Sequence, residues 1–104
     1  MKVLIKIINL SQALNIYADD KTNEVVINNT PVNYNADKFV GDVSAITFNW
    51  DNHYYNNHIL DGEEFKIKLI SDNNNERLIV GKNSYPSNYG EFKDLINEVV
   101  NLWN

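Results

Sequence analysis

The spacing of the apolar residues constrains the fold of this chain more than any other feature. Over most of the sequence apolar and polar residues alternate, which places every second side chain on one face of a strand. Near the C-terminus the spacing changes to three and four residues, the period of a helix. The alternation predicts six strands, at residues 2–8, 13–18, 24–28, 43–50, 64–70 and 76–81. The pattern therefore predicts a sheet followed by a helix.

Two of these strands show the alternation most clearly. In residues 2–8, Val3, Ile5 and Ile7 share one face. In residues 64–70 the inward set is Phe65, Ile67 and Leu69, and the outward set is Glu64, Lys66 and Lys68. Residues 72–75 are a polar hairpin loop, after which the chain returns through Leu78 and Val80. The first three strands follow one another with short turns, which predicts an antiparallel meander.

The middle of the chain is less regular. Residues 29–42 show no clear period, and Pro31 is expected at a sheet edge or a turn because it cannot donate to a ladder. Alternation resumes at residues 43–50, where Ile46, Phe48 and Trp50 fall on one side. Residues 51–58 form a polar, aromatic loop or an irregular strand.

The C-terminal segment predicts one amphipathic helix from Tyr89 to Trp103. Its apolar stripe is Phe92, Leu95, Ile96, Val99, Leu102 and Trp103. Asn88 is the expected N-cap, with Glu91 completing a capping box. A single helix cannot bury its stripe alone, so it must pack on the sheet. We therefore expect one domain over residues 1–104, of the α+β class: a two-layer, about six-stranded antiparallel sheet with one C-terminal helix.

Composition excludes several classes of function. The chain lacks cysteine, which excludes disulfides, a thiolate nucleophile and cysteine-ligated metals. Its 9 basic and 14 acidic residues give a net charge of −5, which argues against direct binding of nucleic acid through a basic face. Apolar stretches stay shorter than the roughly 20 residues of a membrane span. We expect a cytoplasmic protein with no cofactor.

Asparagine is unusually frequent, at 19 of 104 residues. Asparagine suits turns and helix caps because its side chain bonds nearby backbone and it tolerates left-handed conformations. The alternative is the codon bias of an AT-rich genome, which favours the same residue. The sequence favours the second explanation, and only Asn88 receives a definite structural role.

The second half of the chain carries a recurrent pattern. It comprises Trp50, Tyr54 or Tyr55, Ile59, Asp61-Gly62, Ile67, Gly81, Asn83, Tyr85-Pro86, Asn88-Tyr89, Phe92 and Leu95-Ile96. This pattern resembles small, largely uncharacterised α+β domains of low-GC Gram-positive bacteria and their phages and mobile elements. The chain departs from it at residues 63–65, where a small residue and a tryptophan are typical. The resemblance implies the strand–strand–helix order and no catalytic residue.

Candidate groups for catalysis are sparse. His53, His58 and Asp61 could ligate a metal, but a spacing of five suits neither one helix face nor one strand face, so a loop would have to assemble the site. Glu63 and Glu64 are adjacent, so a strand would place them on opposite faces and not as a paired acid and base. We expect no metal site, no catalytic residue and no enzyme activity.

A binding surface is the stronger prediction. From Asp51 onward the chain has five basic and nine acidic residues, a net charge of −4, and most of its tyrosines. Aromatic anchors beside acidic residues are typical of protein interfaces. The predicted binding residues are Tyr54, Tyr55, Asp61, Glu63, Glu64, Tyr85 and Tyr89. Their charge fits a basic partner, such as a nucleic-acid-binding enzyme, and the alternative is that the aromatics fill the core.

Three functional hypotheses follow. The first is a small acidic protein-binding or inhibitory module: a phage- or mobile-element-encoded, anti-CRISPR-like inhibitor of a host defence or nucleic-acid enzyme, or an immunity protein. The second is a self-associating structural or assembly protein of a phage or secretion system, which would use exposed strand edges. The third is a metal-dependent enzyme or ligand sensor built on the loop from His53 to Asp61.

Overall fold

The computed structural model describes residues 1–10, 12–56 and 62–103, which form seven strands and two helices. In chain order these elements are β1 (Lys2–Asn9), β2 (Gln12–Asp19), β3 (Glu24–Ile27), β4 (Thr30–Pro31), α1 (Ala36–Ile46), β5 (His53–Tyr55), β6 (Glu64–Ile70), β7 (Glu76–Lys82) and α2 (Tyr89–Trp103). The predicted α+β class is confirmed. The sheet has one strand more, and the chain one helix more, than the sequence predicts.

The described strands form one sheet in the order β4-β3-β2-β1-β6-β7-β5. The predicted meander is confirmed, because β1 pairs with β2 and β2 with β3 in antiparallel fashion. Pro31 lies on the two-residue edge strand β4, as expected. The prediction of a wholly antiparallel sheet is wrong at the other edge, where β5 runs parallel to β7. The consecutive strands β5 and β6 run in opposite directions, and β7 lies between them antiparallel to β6, so β7 is parallel to β5.

One face of the sheet carries the core. The alternation predicted for β1 and β6 is confirmed, since Val3, Ile5, Ile7, Phe65, Ile67 and Leu69 are all buried. The returning strand has the opposite phase from the predicted one. Ile79 and Gly81 are buried, whereas Leu78 is 44% exposed and Val80 is half-buried. The reason is the register of the hairpin, which pairs Ile79 with the core residue Ile67.

Residues 36–46 are helical, so the predicted strand over residues 43–50 is wrong. Asn35 accepts a hydrogen bond from the backbone nitrogen of Lys38 and caps the helix. Phe39 and Val43 are four residues apart and completely buried, which is helical spacing. Phe48, expected inside, is 78% exposed because the helix ends before it. The burial of Phe39 and Val43 on one face of a helix outweighs the local alternation of residues 43–50 that indicated a strand.

The C-terminal helix is confirmed with the predicted bounds. Phe92, Leu95, Ile96 and Val99 are buried against the sheet, whereas Leu102 of the predicted stripe is 52% exposed in the last turn. Asn88, however, does not use its side chain as the predicted cap. Its Oδ1 accepts from Nε1 of Trp50 at 2.6 Å, and its Nδ2 donates to the carbonyl of Ile46. Neither helix of the described residues has the length and apolar character needed to cross a membrane.

The asparagines hold more of the turns than the sequence predicts. Six described non-glycine residues have positive φ, and five are asparagine: Asn23, Asn28, Asn29, Asn74 and Asn83. The loop between β3 and β4 consists of Asn28 and Asn29, both left-handed, which is the geometry of a type I′ hairpin. Asparagine adopts this conformation more readily than other residues with a Cβ. The backbone conformation at these five positions therefore favours asparagine in its own right.

Candidate functional site

Within the described residues, both helices pack on one face of the sheet and the other face is uncovered. Strand residues alternate between faces, so the neighbours of the core residues point to the uncovered side. This surface, which we call the open face, comprises Lys2, Leu4, Lys6 and Ile8 of β1, Ala13, Asn15, Tyr17 and Asp19 of β2, Glu24 and Val26 of β3, Glu64, Lys66, Lys68 and Ile70 of β6, Glu76, Leu78, Val80 and Lys82 of β7, and His53 and Tyr55 of β5. It combines apolar and basic side chains with acidic ones near the ends of the strands.

Basic side chains occupy the middle of the open face. Lys6 on β1 lies directly opposite Lys66 on β6, and Lys68 follows two residues along β6. Nζ of Lys68 lies 3.9 Å from Oε2 of Glu76, which is a long ion pair. Within the described part of the chain, Lys6 and Lys66 have no ion pair. Five of the nine basic residues of this acidic protein lie on the open face.

Two shallow depressions flank these lysines. One has a volume of about 290 Å³ and lies towards β7 and β5, where Ile8, Tyr55 and Val80 provide its apolar lining. The other has a volume of about 300 Å³ and lies towards β2 and β3, where Leu4, Tyr17 and Val26 provide it. Lys6 and Lys66 border both depressions. The open face therefore places positive charge between two apolar surfaces.

Acidic side chains lie at both ends of the strands. At one end, Lys2 pairs with Asp19 on β2, which in turn pairs with Glu24 on β3. On its other side Lys2 pairs with Ile70 of β6, which pairs with Glu76 of β7. At the other end Glu64 faces Lys82 across β6 and β7, and their side chains form an ion pair of 3.1 Å. The positive centre of the open face is therefore bounded along the strand direction by negative charge.

Two of the predicted binding residues lie on the open face. Tyr55 is 55% exposed and stacks on the ring of His53 on the edge strand β5. Glu64 lies at the end of the face, where it pairs with Lys82. Asp61 lies outside the described residues, so its predicted role stays a prediction.

The other predicted residues belong to a separate aromatic cluster between the sheet and α2. Tyr54 packs on the buried Trp50, and its hydroxyl accepts from the backbone nitrogen of Asp51. Tyr85 stacks on Tyr89 with their ring centroids 4.7 Å apart. These rings pack further onto buried Phe65 and Phe92. Tyr54 and Tyr89 are half-buried against the core, whereas Tyr85 is 37% exposed, so the cluster lies at the edge of the core and its predicted binding role stays a prediction.

Glu63 forms three hydrogen bonds with this cluster and one with Lys93 of α2. Its carboxylate accepts from the hydroxyl of Tyr89 at 2.5 Å and from Nζ of Lys93 at 2.7 Å. The hydroxyl of Tyr85 donates to its carbonyl and accepts from its backbone nitrogen. Burial, together with the negative charge of Glu63, raises the pKa of Tyr89 well above its ordinary value. Glu63 thus anchors the start of β6 to α2.

The candidate metal loop is only partly described. His53 stacks on Tyr55 at the sheet edge, whereas His58 and Asp61 lie outside the described residues. In the part of the chain that the structure describes, no three histidine, aspartate or glutamate side chains are grouped to hold a metal ion.

The central lysines were not among the predicted site residues. Alternation alone places Lys6 on one side of its strand and Lys66 and Lys68 on one side of theirs. Their meeting depends on β1 pairing with β6, strands separated by more than fifty residues in sequence. The signal in the sequence was the outward position of the lysines on the two most regular strands.

Comparison with known proteins assigns no family to the chain. No family model, curated protein or solved structure matches it. The resemblance to small domains of low-GC Gram-positive bacteria and their mobile elements therefore stays a prediction.

Proposed function

We propose that this protein is a small protein-binding module and that the open face is its contact surface. The observation that carries the proposal is the asymmetry of the sheet, whose helices cover one face while the other exposes Leu4, Tyr55 and Leu78 beside lysines. Stable interfaces combine apolar and aromatic anchors with charged groups that steer the encounter. The two depressions offer places for the anchors of a partner.

The dimensions of the open face suit this role. The seven strands span six spacings of about 4.8 Å, and the central strands rise about 3.4 Å per residue over roughly seven residues. These values give an area on the order of 700 Å², close to the ~800 Å² that each partner buries in a standard interface. One partner domain seated on the open face would therefore form an interface of ordinary size.

The mode of action that we favour is inhibition by occupation. A compact domain of 104 residues with a net charge of −5 suits a stoichiometric inhibitor or an immunity protein, which acts by covering a functional surface of its target. A host defence enzyme or a nucleic-acid enzyme is the target class that we propose, as for an anti-CRISPR-like inhibitor. This mode requires no catalytic residue in the chain.

Self-association through the strand edges is the second candidate. Its support is that the sheet is open and not closed into a barrel. The edge strands β4 and β5 are only two and three residues long, however, so they offer few unpaired backbone groups to a second copy. Light scattering across a hundredfold range of concentration separates the candidates, because only self-association predicts growth of the particle mass.

A matched pair of surface variants tests the binding proposal. Leu4 lies in the open face and Leu102 on α2, and both leucine side chains are exposed. Tagged wild type, Leu4→Glu and Leu102→Glu are incubated with a lysate of the source organism, and retained proteins are quantified by mass spectrometry. The proposal predicts a saturable partner that Leu4→Glu loses and Leu102→Glu keeps. A partner kept by Leu4→Glu, or the absence of any saturable partner, would overturn it.

A further inference from the structure

We infer that the open face recognises a compact acidic spot on its partner protein: one or two carboxylates between Lys6, Lys66 and Lys68, flanked by apolar side chains that enter the two depressions. The inference rests on the proposed function and specifies the chemistry of the partner. It differs from the basic partner predicted from the charge of the second half, because the folded chain collects five lysines on one surface.

Lys6 and Lys66 face each other across β1 and β6. Residues directly opposite in an antiparallel pair have Cα atoms about 5 Å apart. Like charges in such a pair destabilise the sheet. Within the described residues neither ammonium group forms an ion pair, and Glu64, which lines the same depression, pairs with Lys82 instead. A carboxylate placed over the pair would interact favourably with both groups. Lys68, on the same side of β6, adds a third positive charge within reach.

The two depressions lie on either side of this lysine pair. Each is bordered by Lys6 and Lys66, so the charged pair forms a ridge between them. On one side the apolar lining includes Ile8 and Val80, and on the other it includes Leu4 and Val26. An anion on the ridge therefore has apolar surface to both sides. A protein segment with acidic residues between apolar ones matches this order.

The acidic ends of the face argue against an extended polyanion. A nucleic-acid strand carries a phosphate at every nucleotide, and its affinity depends on neutralising several of them. Such a strand running along β1 or β6 would pass close to Glu24 and Glu76 at one end and Glu64 at the other. A compact acidic spot avoids these side chains. A second copy of the chain is also disfavoured, because its open face would present the same lysines.

Peptide titration tests the chemistry directly. The acidic probe is N-acetyl-Leu-Glu-Asp-Leu-amide, the neutral probe is N-acetyl-Leu-Gln-Asn-Leu-amide, and an eight-nucleotide oligothymidylate represents the polyanion. Each is titrated into the isotope-labelled full chain at low ionic strength, and amide shifts are followed by NMR. The acidic peptide should shift residues of β1, β6 and β7 on the open face and bind more tightly than the other two. Equal binding of the neutral peptide, tighter binding of the oligothymidylate, or no shift on the open face would overturn the inference.

Two double variants provide the residue-level test. Lys6→Gln/Lys66→Gln removes the central charges, and Lys21→Gln/Lys38→Gln removes two exposed lysines elsewhere on the surface. Loss of two close charge interactions should weaken the acidic peptide by about tenfold or more in the first variant and by less than about twofold in the second. Equal weakening in both variants would mean that only the net charge matters, and would refute the site.

The same variants separate this inference from the proposed function. If the natural partner is lost by Leu4→Glu but retained by Lys6→Gln/Lys66→Gln, the open face is the interface and the acidic-spot inference fails. If Leu4→Glu itself retains the partner, the proposed function fails first. Loss of the partner by both variants, with retention by Lys21→Gln/Lys38→Gln, supports both.

Discussion

Phe65 packs its ring directly onto Gly81, its partner across the antiparallel pair of β6 and β7. A Cβ added at Gly81 would lie 2.1 Å from the ring of Phe65, so the close approach requires glycine at this position. Phe65 in turn contacts Trp50 and Tyr89. The glycine therefore sets the position of the ring on which the aromatic cluster is built.

Gly81→Ala should lower the free energy of unfolding by about 1–3 kcal/mol, the range for overpacking a well-packed core. The control is Gly41→Ala on α1, where an added Cβ meets no atom within 4 Å. That variant should be stabilised by about 0.5–1 kcal/mol, because alanine favours the helix interior. Urea denaturation of both variants measures the two changes, and a Gly81→Ala protein as stable as wild type would contradict the packing argument.

The β3–β4 hairpin offers a second test, of the asparagine turns. Asn29 is exposed and has φ 69°, a conformation that glycine adopts without cost and alanine adopts poorly. Asn29→Ala should reduce stability by about 1 kcal/mol. Asn29→Gly should retain or raise it, because glycine is favoured in a type I′ turn. Thermal unfolding of the pair separates a conformational role from a contact role, in which both variants would lose stability.

Alkaline pH provides a third test through Tyr89. Burial and the Glu63 carboxylate raise its pKa in the folded protein, whereas in the unfolded chain it titrates near pH 10. Below pH 10 the hydroxyl is protonated in both states and the full stabilisation is present. Above pH 10 the unfolded chain loses this proton first, so stability falls as pH rises.

The measurement is the stability of wild type and Tyr89→Phe between pH 8 and pH 12, values at which the unfolded tyrosine passes through its titration. Wild type should lose stability more steeply than Tyr89→Phe above pH 10. Parallel curves for the two proteins would show that the hydrogen bond from Tyr89 to Glu63 does not control the alkaline limb.

The sequence predicts an element well when local periodicity decides its structure, and less well when contacts between residues distant in the sequence decide it. Strand β6 and helix α2 have the predicted bounds because their own periodicity is regular and their burial follows it. Helix α1 was missed because Ile46, Phe48 and Trp50 alternate locally, while the burial of Phe39 and Val43 against the sheet is a tertiary effect. A weak signal was present in Asn35, a favoured N-cap residue.

The candidate site was less predictable than the fold. A tyrosine such as Tyr85 or Tyr89 looks the same in the sequence whether it fills a core or forms an interface. Only its packing in the folded chain distinguishes the two roles. The opposition of Lys6 and Lys66 needed the pairing and register of two strands distant in sequence. Asn88 was recognised as important, but its partner Trp50 lies 38 residues away and no local pattern indicates that bond.

The open face contains both like-charged and oppositely charged cross-strand pairs. Lys66 faces Lys6, whereas Lys82 faces Glu64 on the neighbouring pair and bonds with it. Replacing one member of a like-charged cross-strand pair removes repulsion, and replacing one member of an opposite pair removes attraction. Lys66→Gln should therefore raise the free energy of unfolding by about 0.2–1 kcal/mol, and Lys82→Gln should lower it by a similar amount.

Both changes in stability are electrostatic and arise on an exposed surface, so they should shrink in about 0.5 M salt, where the screening length is about 4 Å. Urea denaturation at low and high salt measures the four values. A residue kept at a cost in stability, and required for binding the acidic peptide, is the combination expected of a functional lysine. A Lys66→Gln protein that is less stable than wild type at low salt would show instead that Lys66 supports the sheet, and that the repulsion across β1 and β6 is already relieved by solvent.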